Sequence, residues 1–94
     1  PFAVRMMERH PLGSQAFVPL DPATRYLVVV GDSPDSRPRA FLAAHGQGIN
    51  LHRGSWHHPL IALDRTSDFL VLDRGGPGPN CDECELAQAW QLLA

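Results

Sequence analysis

The chain has 94 residues, enough for one small domain and no more. Hydrophobic residues make up 44% of it, which argues against a disordered chain, and its formal net charge of -2 argues against a nucleic-acid or anionic-membrane partner. No stretch is long and apolar enough to span a bilayer, and two cysteines are too few for a disulfide scaffold. We therefore expect a cytoplasmic protein.

Nine prolines and eight glycines divide the chain into short segments, which favours strands and turns over long helices. In chain order we predict strands at 4–10, 14–20, 25–30, 49–54, 59–64 and 68–76. Residues 39–44 are ambiguous between strand and helix, 31–38 form a surface loop, and 77–84 are irregular. The spacing of Leu86, Ala89, Trp90 and Leu93 predicts a short C-terminal helix over 85–93. The expected fold class is all-β, as a sandwich or a barrel.

Polar side chains of the first two strands form a pattern that places them on one inner surface. Glu8 and His10 are two residues apart and share a strand face, and Gln15 begins the next strand after the turn "PLGS". The resulting E-x-H-x4-Q pattern resembles the first motif of the cupin superfamily, H-x-H followed three or four residues later by glutamate. Glu8 then stands in place of the first histidine and Gln15 in place of the glutamate.

The stretch "HRGSWHHPL" (52–60) resembles the second cupin motif, in which proline, glycine and histidine follow one another at fixed spacing. Gly54 and His57 match the glycine and the histidine, while His52 replaces the proline. Because neighbouring side chains of a strand point to opposite faces, His57 is expected to point inward and His58 outward.

Three longer strings are similar to segments of the ureidoglycolate lyase family, also called ureidoglycolate hydrolase: "ERHPLGSQAFVPL", "GQGINLHRGSWHHPL" and "DFLVLDRGGPGPNCDE". The resemblance runs from about Met7 to Glu83. It implies a cupin-like β-barrel (a double-stranded β-helix) and a homodimer. It also implies that residues 1–94 are a single domain, the C-terminal portion of a longer family chain whose N-terminal segment is absent.

The resemblance implies a carbon–nitrogen lyase of the amidine-lyase type, which splits (S)-ureidoglycolate into glyoxylate and urea in allantoin and purine catabolism. Cleavage of this carbinolamide needs a base for the hydroxyl proton, an acid for the urea nitrogen and a cation for the carboxylate.

We expect the catalytic residues to be Glu8, His10, Gln15 and His57, and the substrate-binding candidates to be Arg39, Arg74 and His58. A divalent metal such as Ni²⁺ has been suggested for the family. No cofactor is certain from the sequence, but the metal-ligand candidates are Glu8, His10 and His57.

Other interpretations of the same residues stay open. The glutamine at position 15 motivates a non-catalytic cupin-like module that binds a small carboxylate. The C-x-x-C formed by Cys81 and Cys84 motivates a zinc site with two histidines, although two unconnected thiols are favoured because no second C-x-x-C is present. His10 could instead cap the turn at Pro11, and Glu8 could be a solvated carboxylate.

Overall fold

The computed structural model describes residues 2–93, and within that range all regular structure is β-strand. The strands, in chain order, are β1 (Phe2–Arg9), β2 (Gln15–Pro19), β3 (Tyr26–Gly31), β4 (Arg39–Ala43), β5 (Ile49–Leu51), β6 (Trp56–His57), β7 (Ile61–Ala62), β8 (Phe69–Leu72) and β9 (Asp82–Leu92). The all-β prediction is confirmed, and the ambiguous segment 39–44 contains a strand.

The strands form two antiparallel sheets. The larger has the order β4-β3-β6-β1-β9, with β7 also paired to β3, and the smaller has the order β5-β2-β8. Neighbours in the sheets are often distant in sequence, so residues from both ends of the chain meet on β1 and β9. This arrangement brings the segment around Glu8 to the segment around Cys81.

The main core lies between the two sheets. Tyr26, Val28 and Ala43 of the larger sheet pack with Leu51 of the smaller one, and Phe69 adds an edge-on ring contact with Tyr26. The β-branched run 28–30 fits this position because branched side chains pack well on a pleated, buried surface. Alternate residues of β3 point the other way, so Val29 joins Val4 and Met7 in a second apolar cluster on the opposite face.

The prediction of a C-terminal helix over 85–93 is wrong, because residues 82–92 form the longest strand of the structure. β9 pairs with β1 along almost its whole length, from Phe2 opposite Leu92 to Arg9 opposite Asp82. Leu86 and Leu92 pack against the cluster containing Val4 and Met7. Packing across the strands therefore buries these leucines, and this tertiary contact outweighs the local spacing of apolar residues, which also fits a helix.

In the described part of the chain, no helix is long and apolar enough to cross a membrane.

Candidate functional site

The register of the larger sheet aligns a row of side chains across it. Arg39 pairs with Val30, Val30 with His57, His57 with Glu8, and Glu8 with Glu83. Directly opposed residues share a face, and Val30 packs against the core between the sheets. The row therefore lies on the inner face, which confirms that His57 points inward.

Glu8, His10 and His57 form a compact cluster at this row. The Nε2 atoms of His10 and His57 each lie 3.9 Å from Oε1 of Glu8, and the two imidazole ring centroids are 5.2 Å apart. His57 is buried, and Glu8 and His10 are only slightly exposed. The structure thus brings together three of the four residues predicted to be catalytic.

Two backbone contacts hold His10 in the cluster although it lies just beyond the end of β1. The Gly54 N–H donates to the His10 carbonyl over 2.9 Å, and Gly54 has φ +79°, a left-handed conformation that glycine adopts without strain. The His10 ring is fixed by its Nδ1, 2.8 Å from the Asn80 carbonyl. The turn before β6 and the segment before β9 therefore both set the position of His10.

The hydrogen bonds of the two rings fix where their protons are. Nδ1 of His10 faces the Asn80 carbonyl, and Nδ1 of His57 faces the His58 carbonyl at 3.1 Å. A carbonyl only accepts, so each Nδ1 must carry the proton, and in the neutral ring Nε2 is then a bare lone pair. Both Nε2 atoms are buried without a hydrogen-bond partner. Two unsatisfied basic nitrogens facing one carboxylate are costly to maintain unless they bind something.

Burial lowers the pKa of His57 below its usual value, and this effect outweighs the opposing pull of the Glu8 carboxylate. His57 is therefore neutral at neutral pH and available as a proton acceptor or a metal ligand.

Gln15 lies on the other sheet. It pairs with the core residue Leu51, so its side chain also points between the sheets, and it is buried. Its Nε2 donates to Oδ2 of Asp73 over 3.0 Å, while its Oε1 is buried without a partner. Among residues 2–93 no hydrogen bond joins Gln15 to the histidine–glutamate cluster, and Asp73 is a partner that the sequence did not indicate.

Arg39 lies at the β4 end of the row and lines a cavity of about 270 Å³. The lining of this cavity includes Val30 and Leu51, the direct strand neighbours of His57 and Gln15. Opposed residues on adjacent strands are about 5 Å apart, so the cavity is one strand away from the cluster. In the described range Arg39 forms no ion pair, and its guanidinium is free to bind an anion.

The other two predicted substrate-binding residues lie elsewhere. The Arg74 guanidinium donates to the Pro77 carbonyl and packs over its own loop. His58 follows the inward-facing His57, binds the Pro59 carbonyl through Nδ1, and contacts the Phe2 ring edge-on. Neither residue is brought to the cluster.

The two cysteines do not form a joint site. Cys84 is opposite Met7 and directly follows Glu83 in β9, so its side chain points to the face opposite that of Glu83 and Glu8, and its Sγ faces the Glu85 carbonyl. Cys81 instead lies 3.7 Å from Oε2 of Glu8. Among the described residues no group of possible metal ligands includes both thiols, and two unconnected thiols remain the favoured interpretation.

Cys81 and Asn80 are contacts of the cluster that the residue patterns missed, although both lie in the string "PNCDE" that resembles the family. Desolvation, followed by the negative charges of Glu8 and Glu83, raises the pKa of the Cys81 thiol, which is protonated at neutral pH.

A larger cavity of about 360 Å³ lies between the 31–38 loop and β9. Its lining includes the carboxylate of Asp35 and the amide of Gln88 but no histidine, arginine or cysteine. It therefore offers no acid–base pair, and the smaller cavity beside the cluster is the better candidate for the substrate.

Comparison with known proteins identifies the family. A family model described as ureidoglycolate lyase matches residues 1–93. Proteins named ureidoglycolate lyase from Burkholderia cepacia, Pseudomonas syringae pv. syringae and Pseudomonas putida are 57%, 52% and 55% identical to this chain. These matches cover 98%, 99% and 99% of the chain but 54%, 56% and 58% of the relatives, so the chain spans little more than half their length. The chain belongs to the ureidoglycolate lyase family.

Proposed function

We propose that this chain carries the catalytic cluster of a lyase that cleaves (S)-ureidoglycolate into glyoxylate and urea. The observation that carries the proposal is the convergence of Glu8, His10 and His57, with two bare imidazole nitrogens 3.9 Å from one carboxylate oxygen. The names of the relatives supply the substrate.

The reaction moves one proton from the hydroxyl oxygen of ureidoglycolate to its urea nitrogen. As the hydroxyl loses its proton, the C–O bond becomes the carbonyl of glyoxylate and the C–N bond breaks, and the electron pair of that bond goes to the nitrogen. In the proposed mechanism Glu8, which is flanked by the two imidazoles, takes the hydroxyl proton, and the cluster returns a proton to the departing nitrogen. General acid–base catalysis of this kind contributes about 100- to 10,000-fold.

Arg39 is the proposed partner of the substrate carboxylate. Two strand spacings of about 5 Å separate its backbone from that of His57, and an extended arginine side chain covers most of that distance. Its guanidinium offers the paired donors that a carboxylate binds well. Gln15, across the gap between the sheets, is proposed to orient the substrate through its unsatisfied Oε1, an acceptor suited to a urea N–H.

The same cluster fits a divalent metal such as Ni²⁺. Glu8, His10 and His57 each offer one ligand atom, these atoms lie within 4.8 Å of one another, and two of them are buried nitrogens without partners. Two imidazoles and one carboxylate are a common donor set for transition metals. When bound, the ion would polarise the substrate hydroxyl and so assist its deprotonation.

We further propose that the two sheets of residues 1–94 belong to a single cupin-like barrel domain, in a cytoplasmic homodimer. The placement of the cluster on the inner face of a β-sheet supports the barrel, because barrels of this kind carry their chemistry inside. The oligomeric state is measurable by light scattering on the eluting protein.

The test is release of urea and glyoxylate from (S)-ureidoglycolate by the full-length protein, with and without added Ni²⁺ or Mn²⁺. We expect release by the unaltered protein and loss of more than 99% of it in Glu8→Gln. No release under either condition would refute the lyase. If calorimetry shows that glyoxylate binds and no turnover is detected, a non-catalytic module that binds a small carboxylate is favoured instead. The neutral side chain of Gln15 is the feature that suggests this alternative.

A further inference from the structure

The carboxylate of Glu8 has two different sides. Its Oε1 faces the Nε2 atoms of His10 and His57, while its Oε2 lies 3.7 Å from the Sγ of Cys81. Within the described residues, the Cys81 thiol is the one side chain that donates a hydrogen bond to this carboxylate. The thiol therefore contacts the same carboxylate that both histidines face.

The position of Cys81 follows from the pairing of β1 with β9. Glu8 is opposite Glu83, and Cys81 directly precedes Asp82, the first residue of β9, so this pairing brings the Cys81 thiol beside the Glu8 side chain. Glu83 is exposed and carries the same charge as Glu8, so it repels the carboxylate rather than holding it. A neutral donor at position 81 offsets this repulsion without competing for the histidines.

A carboxylate that is free to rotate would lose the arrangement in which one oxygen faces both imidazoles. The Nε2 of His57 is buried without a hydrogen-bond partner, and Oε1 of Glu8 lies 3.9 Å from it, so the direction of Oε1 decides whether the two atoms can share a proton or a ligand. Fixing Oε2 at the thiol fixes Oε1 at the rings, because the two oxygens move as one planar group.

We propose that Cys81 is a positioning residue of the lyase site, whose S–H donates to Oε2 of Glu8 and thereby orients Oε1 toward His10 and His57. The proposal rests on the proposed function. It assigns to Cys81 no contact with the substrate. Because an S–H is a weak donor, the expected effect is moderate, a loss of about five- to tenfold in kcat.

The first arm of the test measures the contact without any turnover. The infrared S–H stretching band is recorded for Cys84→Ala, which leaves Cys81 as the one thiol of the chain. Replacing Glu8 in this background with glutamine should shift the band to higher frequency, since the charged acceptor is gone. An unchanged band would overturn the contact, whatever the protein catalyses.

The second arm measures kinetics of the full-length protein with ureidoglycolate. Cys81→Ala should lower kcat five- to tenfold with KM within twofold, and Cys81→Ser, which restores a donor, should recover kcat to within about twofold. Cys84→Ala is the matched control on the opposite face of β9 and should keep the unaltered kcat.

Equal kcat values for Cys81→Ala and the unaltered protein would overturn the positioning role, as would a failure of Cys81→Ser to recover activity lost in a folded Cys81→Ala. If the unaltered protein releases no urea, the proposed function fails and the positioning role fails with it. The infrared result still shows in that case whether the thiol binds the carboxylate.

Discussion

The adjacent histidines at 57 and 58 allow a sharp test of the site, because the structure gives them opposite environments. His57 is 1% exposed and its Nε2 faces Glu8, whereas His58 turns toward Phe2 and the Pro59 carbonyl. Removing an acid–base group costs about 100- to 10,000-fold in rate. We therefore expect His57→Ala to lower kcat at least about 100-fold, and His58→Ala to leave it within a few-fold.

Stability must be separated from chemistry in this comparison. Truncation of a fully buried ring leaves a cavity, and comparable truncations cost about 2–5 kcal/mol. His57→Gln keeps more of the volume but provides no group that titrates near neutrality, so it should be nearly as inactive while losing less stability. Circular dichroism melts of all three variants would establish that each is folded before urea release is assayed.

The opposite pattern of activity would contradict the role of His57. If folded His58→Ala is inactive and folded His57→Ala remains active, the inward-facing histidine is not the catalytic one. The assignment of the cluster of Glu8, His10 and His57 would then have to be withdrawn, even if the lyase activity were established.

Three further outcomes are expected. Arg39→Ala should raise KM for ureidoglycolate about tenfold with little change in kcat, while Arg74→Ala should leave KM within twofold of the unaltered value. If steady-state assays show equal KM values for the two variants, Arg39 is not the partner of the substrate carboxylate. Because burial lowers the pKa of His57 in the folded state, the unfolded chain binds the extra proton as pH falls below about 6.5. The contribution of His57 to the free energy of unfolding is therefore full above that pH and decreases below it. Guanidinium denaturation in the presence of a chelator should show that the stability of His57→Gln falls less steeply with decreasing pH than that of the unaltered protein. An equally steep fall in both proteins would contradict the lowered pKa of His57. Tyr26→Phe deletes the hydroxyl that donates to the Gln47 carbonyl over 2.6 Å and should cost about 1 kcal/mol; an unchanged denaturation midpoint would show that this bond contributes nothing.

Local patterns predicted much of the fold and the cluster. The β-branched run at 28–30 indicated a buried strand, and the two-residue spacing of Glu8 and His10 predicted a shared face. The alternation of side chains on a strand also distinguished His57 from His58. These inferences succeeded because they depend on the geometry of single strands.

The failures concern contacts between distant parts of the chain. The helical spacing of Leu86 and Trp90 was misleading because β9 obtains its stability from β1, at the other end of the sequence. The Cys81–Glu8 contact joins residues 73 positions apart and depends on the same pairing, which one sequence does not reveal. Likewise, the separate positions of Arg39 and Arg74 became distinguishable only from the sheet order.

A crystal structure of the full-length protein with glyoxylate bound would show whether the cluster of Glu8, His10 and His57 binds the reaction product. We expect glyoxylate between the sheets, with its aldehyde carbon beside the Glu8 carboxylate and the Nε2 atoms of His10 and His57, and with its carboxylate toward Arg39. Glyoxylate bound in the larger cavity between the 31–38 loop and β9, with the histidine cluster empty, would contradict it.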